Sequence, residues 1–380
     1  MDFVIKQICT SDIEKELSYI GFDEGYRLVA ADKFRYKNIK IYNLTSAQAN
    51  IIKQTALTLG ADCATHREVI RGGIDLSNVI LGGSISQIKK ISEKLKFQPF
   101  NLKTLGEELE KFLTNQNKET KIVGILNITP DSFSDGGKYF EPEDAQNKLL
   151  SLIADGADMI DIGAESTRPF SEAVPAKEQI ERLKPILDFI AKENIQIPIS
   201  IDTRSAEVAA FAMDNGAEII NDVSGFDYDK NMAKTVAKYG AGIIIQHSLG
   251  TPDVMQIKPK YENLIEDIFV SLKNKVEFAK EIGIKNIIAD VGIGFGKTKS
   301  DNFEILNRIE EFYSLGVPVM AGVSRKSFLG VESDDNKLKD SLTAAVSYPL
   351  MQKNIDYLRV HNVKLHKIML SNLFLYNKAN

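Results

Sequence analysis

Tryptophan is absent from this 380-residue chain, and cysteine occurs only twice, at Cys9 and Cys63. Two thiols at no metal-ligand spacing exclude a disulfide framework, and they fit a reducing compartment. No run of about 18 apolar residues is present, which excludes a membrane-spanning helix, and the first ten residues lack the long apolar region of a signal peptide. Basic blocks are also missing. Charged residues make up 26% of the chain and the net charge is -5, a balance that argues against nucleic acid or a membrane surface as partner. A cytoplasmic protein is the expectation, and any anionic ligand has to be held by local groups.

What is there divides in two. The length exceeds a usual single core, and the pattern changes near residue 119, so a domain of residues 1–118 and a second of residues 119–380 are expected. In the first, strands at 26–30 (Tyr-Arg-Leu-Val-Ala) and 39–43 (Ile-Lys-Ile-Tyr-Asn) accompany an amphipathic helix at 46–59 ended by Gly60. A run at 79–83 then leads into a helix at 86–96, which completes a small α/β domain. Its chemically suggestive points are His66 beside Arg67 and Glu68, and the pair Gly72 and Gly73. A lone histidine is usually structural and a glycine pair usually a turn, so this domain is assigned no catalytic role. The polar stretch 115–120 reads as a linker.

From residue 121 the pattern becomes regular. Short apolar runs recur at 122–126, 159–162, 197–201, 218–220, 242–245, 286–289, 317–321 and 357–360, with helical patterns between them, among them 177–193, 205–215, 264–282 and 340–353. Eight strand-helix units in about 260 residues match a (β/α)8 TIM barrel. An open doubly wound sheet is the alternative, and it lacks the glycine-rich dinucleotide turn expected after its first strand.

Each run ends in polar residues. The first opens into Asn-Ile-Thr-Pro-Asp-Ser-Phe-Ser-Asp-Gly-Gly at 127–137, a loop longer and more polar than a connection needs. The others end in Asp161, Asp202, Asn221-Asp222, Gln246-His247, Asp290, Ser324 to Ser327 and Arg359 with His361. In a barrel these ends meet at one face, where active sites are built. One such aspartate is more often a helix cap than a catalyst; eight polar ends in succession point to a site.

These blocks resemble dihydropteroate synthase and, more broadly, the pterin-binding enzymes. The matching segments are 127–137, 163–169, 200–204 (Ser-Ile-Asp-Thr-Arg), 220–225 (Ile-Asn-Asp-Val-Ser-Gly), 247–252, 290–297, 324–330 (Ser-Arg-Lys-Ser-Phe-Leu-Gly) and 359–361 (Arg-Val-His). The resemblance covers residues 121–370 and leaves out the first domain. It implies condensation of 6-hydroxymethyl-7,8-dihydropterin pyrophosphate with p-aminobenzoate, giving 7,8-dihydropteroate and pyrophosphate. It further implies that Asp202, Asn221, Asp290 and Lys326 hold the pterin, with Asp202, Lys326 and Asn127 catalytic. Buried carboxylates and amides suit a ring edge that carries several N–H donors.

For the leaving group, Arg359 and His361 alternate along the last strand and so point the same way, converging on one anion. By resemblance Asn127 helps hold a Mg2+ ion bridging the diphosphate, with phosphates and water completing the octahedron. For p-aminobenzoate, residues 324–329 are expected to begin a helix whose first N–H groups receive the carboxylate with the Ser327 hydroxyl. Phe295 offers an apolar wall, and Thr167, Arg168 and Pro169 complete the pocket by resemblance. The expected mechanism is an SN1-like substitution, with loops 127–137 and 163–169 closing over the site. Which of Asp131 and Asp135 touches substrate is left open, and His247 and His366 are read as structural. The family also leads to the expectation of a homodimer. Val291, Ser248, Ala164 and Asn362 depart from its usual pattern. A pterin-dependent methyltransferase and a noncatalytic pterin-binding protein are the alternatives, and neither would need the anion site.

Overall fold

The computed structural model describes residues 4–8, 13–114, 119–129, 142–165, 174–249, 260–331 and 335–378. The chain forms two compact units, Met1–Gln116 and Asn117–Ala379. The first contains α1 (Ile13–Tyr19), α2 (Arg27–Ala31), β1 (Tyr36–Thr45), α3 (Ser46–Thr58), β2 (Asp62–Thr65), β3 (Leu76–Ser84), α4 (Ile85–Leu95) and α5 (Leu102–Thr114). Its strands pair antiparallel in the order β1-β3-β2. Two strands run directly into helices through the same device. Thr45 and Ser84 each cap a helix and each receives Gln48 or Gln87 in return, so two orphan backbone donors are satisfied at each junction. Ile52, Ala56, Leu81, Ile91, Leu95, Leu102 and Leu109 make the core of the unit.

The expected strand at 26–30 is not one. Asp23 accepts a hydrogen bond from the Tyr26 backbone N–H, Glu24 pairs with Arg27 at 2.7 Å, and the chain turns into α2, burying Ala30 and Ala31 against Ile13 and Leu17 of α1. An aspartate cap outweighs the strand preference of one valine.

The second unit is a closed eight-stranded parallel barrel. Its strands are β4 (Lys121–Asn127), β5 (Met159–Gly163), β6 (Ile199–Asp202), β7 (Ile219–Asp222), β8 (Gly242–Gln246), β9 (Ile287–Asp290), β10 (Val319–Ala321) and β11 (Tyr357–Val360). The helices are α6 (Pro142–Ala154), α7 (Ala176–Lys192), α8 (Ala206–Asp214), α9 (Met232–Tyr239), α10 (Leu264–Glu281), α11 (Lys299–Asn307), α12 (Asn336–Gln352) and α13 (Val363–Lys378). β11 pairs with both β10 and β4 and closes the ring.

Alternation along the strands sorts the residues. Ile122, Ile160, Ile162, Ile201, Ile220, Ile243, Ile245, Ala289, Val319 and Val360 join the helices in one large core. The opposite parity, Val123, Met159, Ile244, Ile288 and Met320 with Ile219 and Tyr357, forms a separate apolar cluster inside the barrel. That cluster is a floor. Above it the inward positions turn polar, with Asp161, Ser200, Asp202, Asn221, Gln246, Asp290 and Arg359.

Candidate active site

Strand register brings the polar residues into one row. Asn127 lies opposite Gly163, Gly163 opposite Asp202, and Asp202 opposite Asn221, across four neighbouring strands. A Cβ at Gly163 would stand 3.4 Å from Asn127 Oδ1 and 3.6 Å from Asp202 Cβ, so glycine there leaves the row uncrowded. On the far side of the ring a Cβ at Gly322 would stand 3.8 Å from Lys326 Nζ, 3.9 Å from Arg359 Cβ and 3.9 Å from Asp290 Oδ2. Those three groups therefore converge over β10. The structure brings together Asn127, Asp202, Asn221, Asp290, Lys326 and Arg359 at one end of the barrel.

Arg359 organises the centre. Its Nε donates to Asp161 Oδ2 at 2.6 Å and its Nη2 to Asp202 Oδ2 at 2.8 Å, and the same Asp161 oxygen accepts Asn221 Nδ2 at 3.0 Å. Asp161 is fully buried. It carries two of the expected ligand residues and was visible in the sequence only as a polar strand end. Burial pushes the Asp202 carboxyl up to about 7, against the pull of Arg359 and with the help of the neighbouring Asp161. Burial likewise raises Asp290, against Lys326 and a 2.7 Å hydrogen bond from the Gly292 N–H. Lys326 is lowered to about 8, by burial first and with Asp290 opposing.

Four polar atoms in this row, Asp161 Oδ1, Ser200 Oγ, Asp202 Oδ1 and Asn221 Oδ1, are buried without a hydrogen-bond partner among the described residues. With the carboxyls ionised, three of them only accept, and they come from three adjacent strands. Such a wall favours a ligand edge rich in N–H donors.

The glycine-rich loop after β9 supplies the next side. Lys326 Nζ donates to the Ile293 carbonyl and stands over the Phe295 ring, 4.5 Å from its centroid. Lys297 is buried, with Nζ 3.0 Å from His247 Nδ1 and 3.0 Å from the Phe295 carbonyl, and burial lowers its amine to about 7. His247 is pushed down to about 2, by burial and then Lys297, so its ring is neutral and structural. His366 is buried between the Asn362 carbonyl and Ser347, as its expected structural role requires.

Two expectations change. Residues 324–329 do not open a long helix: Ser327–Leu329 is a single 3-10 turn stopped by Gly330 at φ +80°, and α12 starts only at Asn336. The N–H array there is correspondingly short, with Ser327 exposed at its start. Arg325, at φ +57°, bends the chain between Ser324 and Lys326 and is held by a fork to Asp340 at 2.7 and 2.9 Å. His361 brings no charge. Its Nδ1 is 2.9 Å from Ser324 Oγ, and burial, then Arg325 and Arg359, lowers it to about 3. Arg359 itself already faces two carboxylates.

Other polar strand ends are structural. Asp222 takes the Ser224 and Phe226 N–H groups and the Ser224 hydroxyl. Glu165 pairs with Arg204 at 2.9 Å, both deeply buried, and accepts the Val174 N–H, fastening the residues that flank 166–173. Thr167, Arg168 and Pro169 lie outside the described residues, as do Asp131 and Asp135. No cluster of three or more His, Cys, Asp or Glu at metal-binding spacing occurs among the described residues, and no described helix is long and apolar enough to cross a membrane.

Comparison with known proteins agrees with this geometry. The family of pterin binding enzymes matches residues 123–361. A dihydropteroate synthase of Clostridium beijerinckii is 43% identical over 254 residues, covering 66% of this chain and 91% of that protein. A bifunctional dihydropteroate synthase/dihydropteroate reductase of Helicobacter pylori is 31% identical and covers 96% of both chains. Against a probable bifunctional folylpolyglutamate synthase/dihydropteroate synthase of Haloferax volcanii, 33% identical, the chain spans only 40% of the relative's length. Among solved structures, dihydropteroate synthase from Clostridium difficile with pteroic acid superposes with a TM-score of 0.61 at 38% identity, over 68% of this chain and 96% of that one. The barrel, its row of polar strand ends and these likenesses together assign the chain to the pterin-binding enzymes, among the dihydropteroate synthases.

Proposed function

We propose that this chain condenses 6-hydroxymethyl-7,8-dihydropterin pyrophosphate with p-aminobenzoate, releasing pyrophosphate and forming 7,8-dihydropteroate. The observation that carries the reading is the buried row of unpaired acceptors on β5, β6 and β7, which matches the amino and ring N–H donors of a pterin edge. Asp202, Asn221 and Asp290 would take those donors, and Lys326 would approach the ring carbonyl and N5. As the C9–O bond ionises, positive charge develops on the ring system, and Asp202 is the carboxylate nearest in role to offset it. Phe295, backed by Lys326, would wall the benzene ring of p-aminobenzoate, and Ser327 would meet its carboxylate. Thr167, Arg168 and Pro169 are proposed for the same pocket.

The diphosphate would lie toward Arg359, His361 and Asn127. His361 contributes a hydrogen bond and not a charge, and the Arg359 guanidinium is shared with two aspartates. The donor set therefore suits a Mg2+ ion that arrives with the diphosphate: one amide oxygen, Asn127 Oδ1, and no protein cage. Such an ion would spread the negative charge of the departing pyrophosphate. Amine attack then needs only alignment, which fixed strand ends provide.

Incubating the full chain with the dihydropterin pyrophosphate, p-aminobenzoate and Mg2+ tests this reading. Pyrophosphate release that requires p-aminobenzoate supports it; release that ignores p-aminobenzoate sinks it. A second reading has one observation behind it, the alignment of the Helicobacter relative over both units of this chain. If the first unit adds a dihydropteroate reductase activity, product in the same assay would be reduced further on adding a hydride donor such as reduced flavin.

A further inference from the structure

The strongest feature not absorbed by that reading is Asp161, the third residue of β5, fully buried and 198 residues from its partner Arg359 in sequence. One of its oxygens does double duty: Oδ2 accepts from both Arg359 Nε and Asn221 Nδ2. A carboxylate paired with a guanidinium can only accept, so the nitrogen end of the Asn221 amide has to face it. The oxygen end is thereby turned away, and Asn221 Oδ1 is the atom left buried and unpaired beside Asp202 Oδ1.

We infer that Asp161 is a positioning residue for ligand recognition, which fixes the Asn221 amide and the Arg359 guanidinium in one orientation and so makes this wall of the barrel accept hydrogen bonds and not donate them. Asparagine alone has no fixed orientation, because its amide presents a donor or an acceptor with equal ease. The carboxylate removes the ambiguity. Arg359, held on its other side by Asp202, completes a chain from Asn221 through Asp161 and Arg359 to Asp202 across three strands and the barrel closure. The ligand class selected is a flat heterocycle that offers adjacent N–H donors, and an isosteric ring with an acceptor at that edge is rejected because two acceptors would face each other. The inference rests on the pterin reading of the mouth.

Its test uses binding of 6-hydroxymethylpterin to the full chain by calorimetry, beside the pyrophosphate-release assay. Asp161→Leu removes the one acceptor that faces Asn221 Nδ2, so the Asn221 amide is free to turn and point a donor at the pterin. The expected result is a Kd weaker by about tenfold or more, with the KM for p-aminobenzoate unchanged within about twofold. The double variant Asp161→Leu/Asn221→Asp keeps the charge and restores an acceptor at position 221, so affinity returns to within about threefold of the parent chain. A residue needed only for folding would give no such recovery.

Parent-like pterin binding by folded Asp161→Leu overturns the inference, as does a folded double variant that stays as weak as the single one. Should the single variant not fold, the double variant decides alone. Side-chain amide NMR of the parent chain gives a check without substitution, since Asn221 Nδ2 protons that exchange as freely as those of exposed asparagines also overturn it. Pterin binding with this dependence but no pyrophosphate release would leave the inference standing and remove the synthase reading. Release without the dependence would do the reverse.

Discussion

At the scale of residues, Asp202 carries the proposed catalytic charge, and burial makes that charge hard to keep. Burial disfavours its ionised form and Asp161 adds like charge, while Arg359 at 2.8 Å opposes both; the balance lifts the carboxyl to about 7. A carboxylate that offsets cation development has to be ionised, so turnover should fall as pH drops through about 7 and the group takes up its proton. Asp202→Asn should lower kcat by about 100-fold or more, and it should abolish that acidic limb, because the amide does not titrate. The measurement is the pH–rate profile of both proteins; equal kcat values, or a limb retained in the variant, would rule out the charge role. That Asp202, Asn221, Asp290 and Lys326 gather at one end of the barrel was legible in the sequence, because the first three end strands and all four lie in blocks that resemble a family motif. Asp161 was not, since its meaning lies in a contact with Arg359 that exists only once the barrel closes. Asp222, the strand-end aspartate next to Asn221, serves its own turn instead.

At the scale of elements, the glycine-rich loop after β9 is held too tightly to tolerate side chains. Gly292 has φ +67°, and a Cβ there would meet the His247 carbonyl oxygen at 1.8 Å, a backbone atom that cannot step aside. Its own N–H is committed to Asp290 Oδ1 and its carbonyl to Phe295. Gly292→Ala should therefore cost roughly 3 kcal/mol or more, or displace the loop and with it Phe295, which a urea melt and the KM for p-aminobenzoate would separate. An alanine variant with parent stability and parent KM would mean the loop is not fixed as described. The glycines of this loop were readable as a loop signal, while the reason for each was not, because the crowding comes from His247 and Leu249 after β8 and from Lys326 after β10. The 3-10 turn at Ser327–Leu329 had its stop signal in plain view, Gly330 in the left-handed conformation. Reading 324–329 as a helix start overlooked it. In the first unit the run at 26–30 was taken for a strand on apolar content, where the aspartate three residues earlier was the stronger clue.

At the scale of the whole molecule, each unit carries its own core. The barrel has a continuous shell of buried residues under its helices and a separate floor within, and the first unit has Ile52, Leu81, Ile91 and Leu95 among its own. Every residue assigned to the substrates lies between Asn127 and His361, within the barrel unit. The Clostridium beijerinckii relative is matched over 91% of its length by only 66% of this chain. The segment 119–380 expressed alone should accordingly fold, melt in one cooperative transition, and turn over the two substrates with kcat/KM within about threefold of the full chain. The eight-strand period made the barrel legible from sequence, whereas nothing in the pattern of the first unit states its use. Loss of the first unit therefore separates two roles by measurement. A barrel that melts cooperatively yet loses more than about tenfold in kcat/KM would show that the first unit acts on catalysis, and a barrel that fails to fold would show that it acts on stability. Full activity with a parent-like melt would assign the first unit a task outside the condensation.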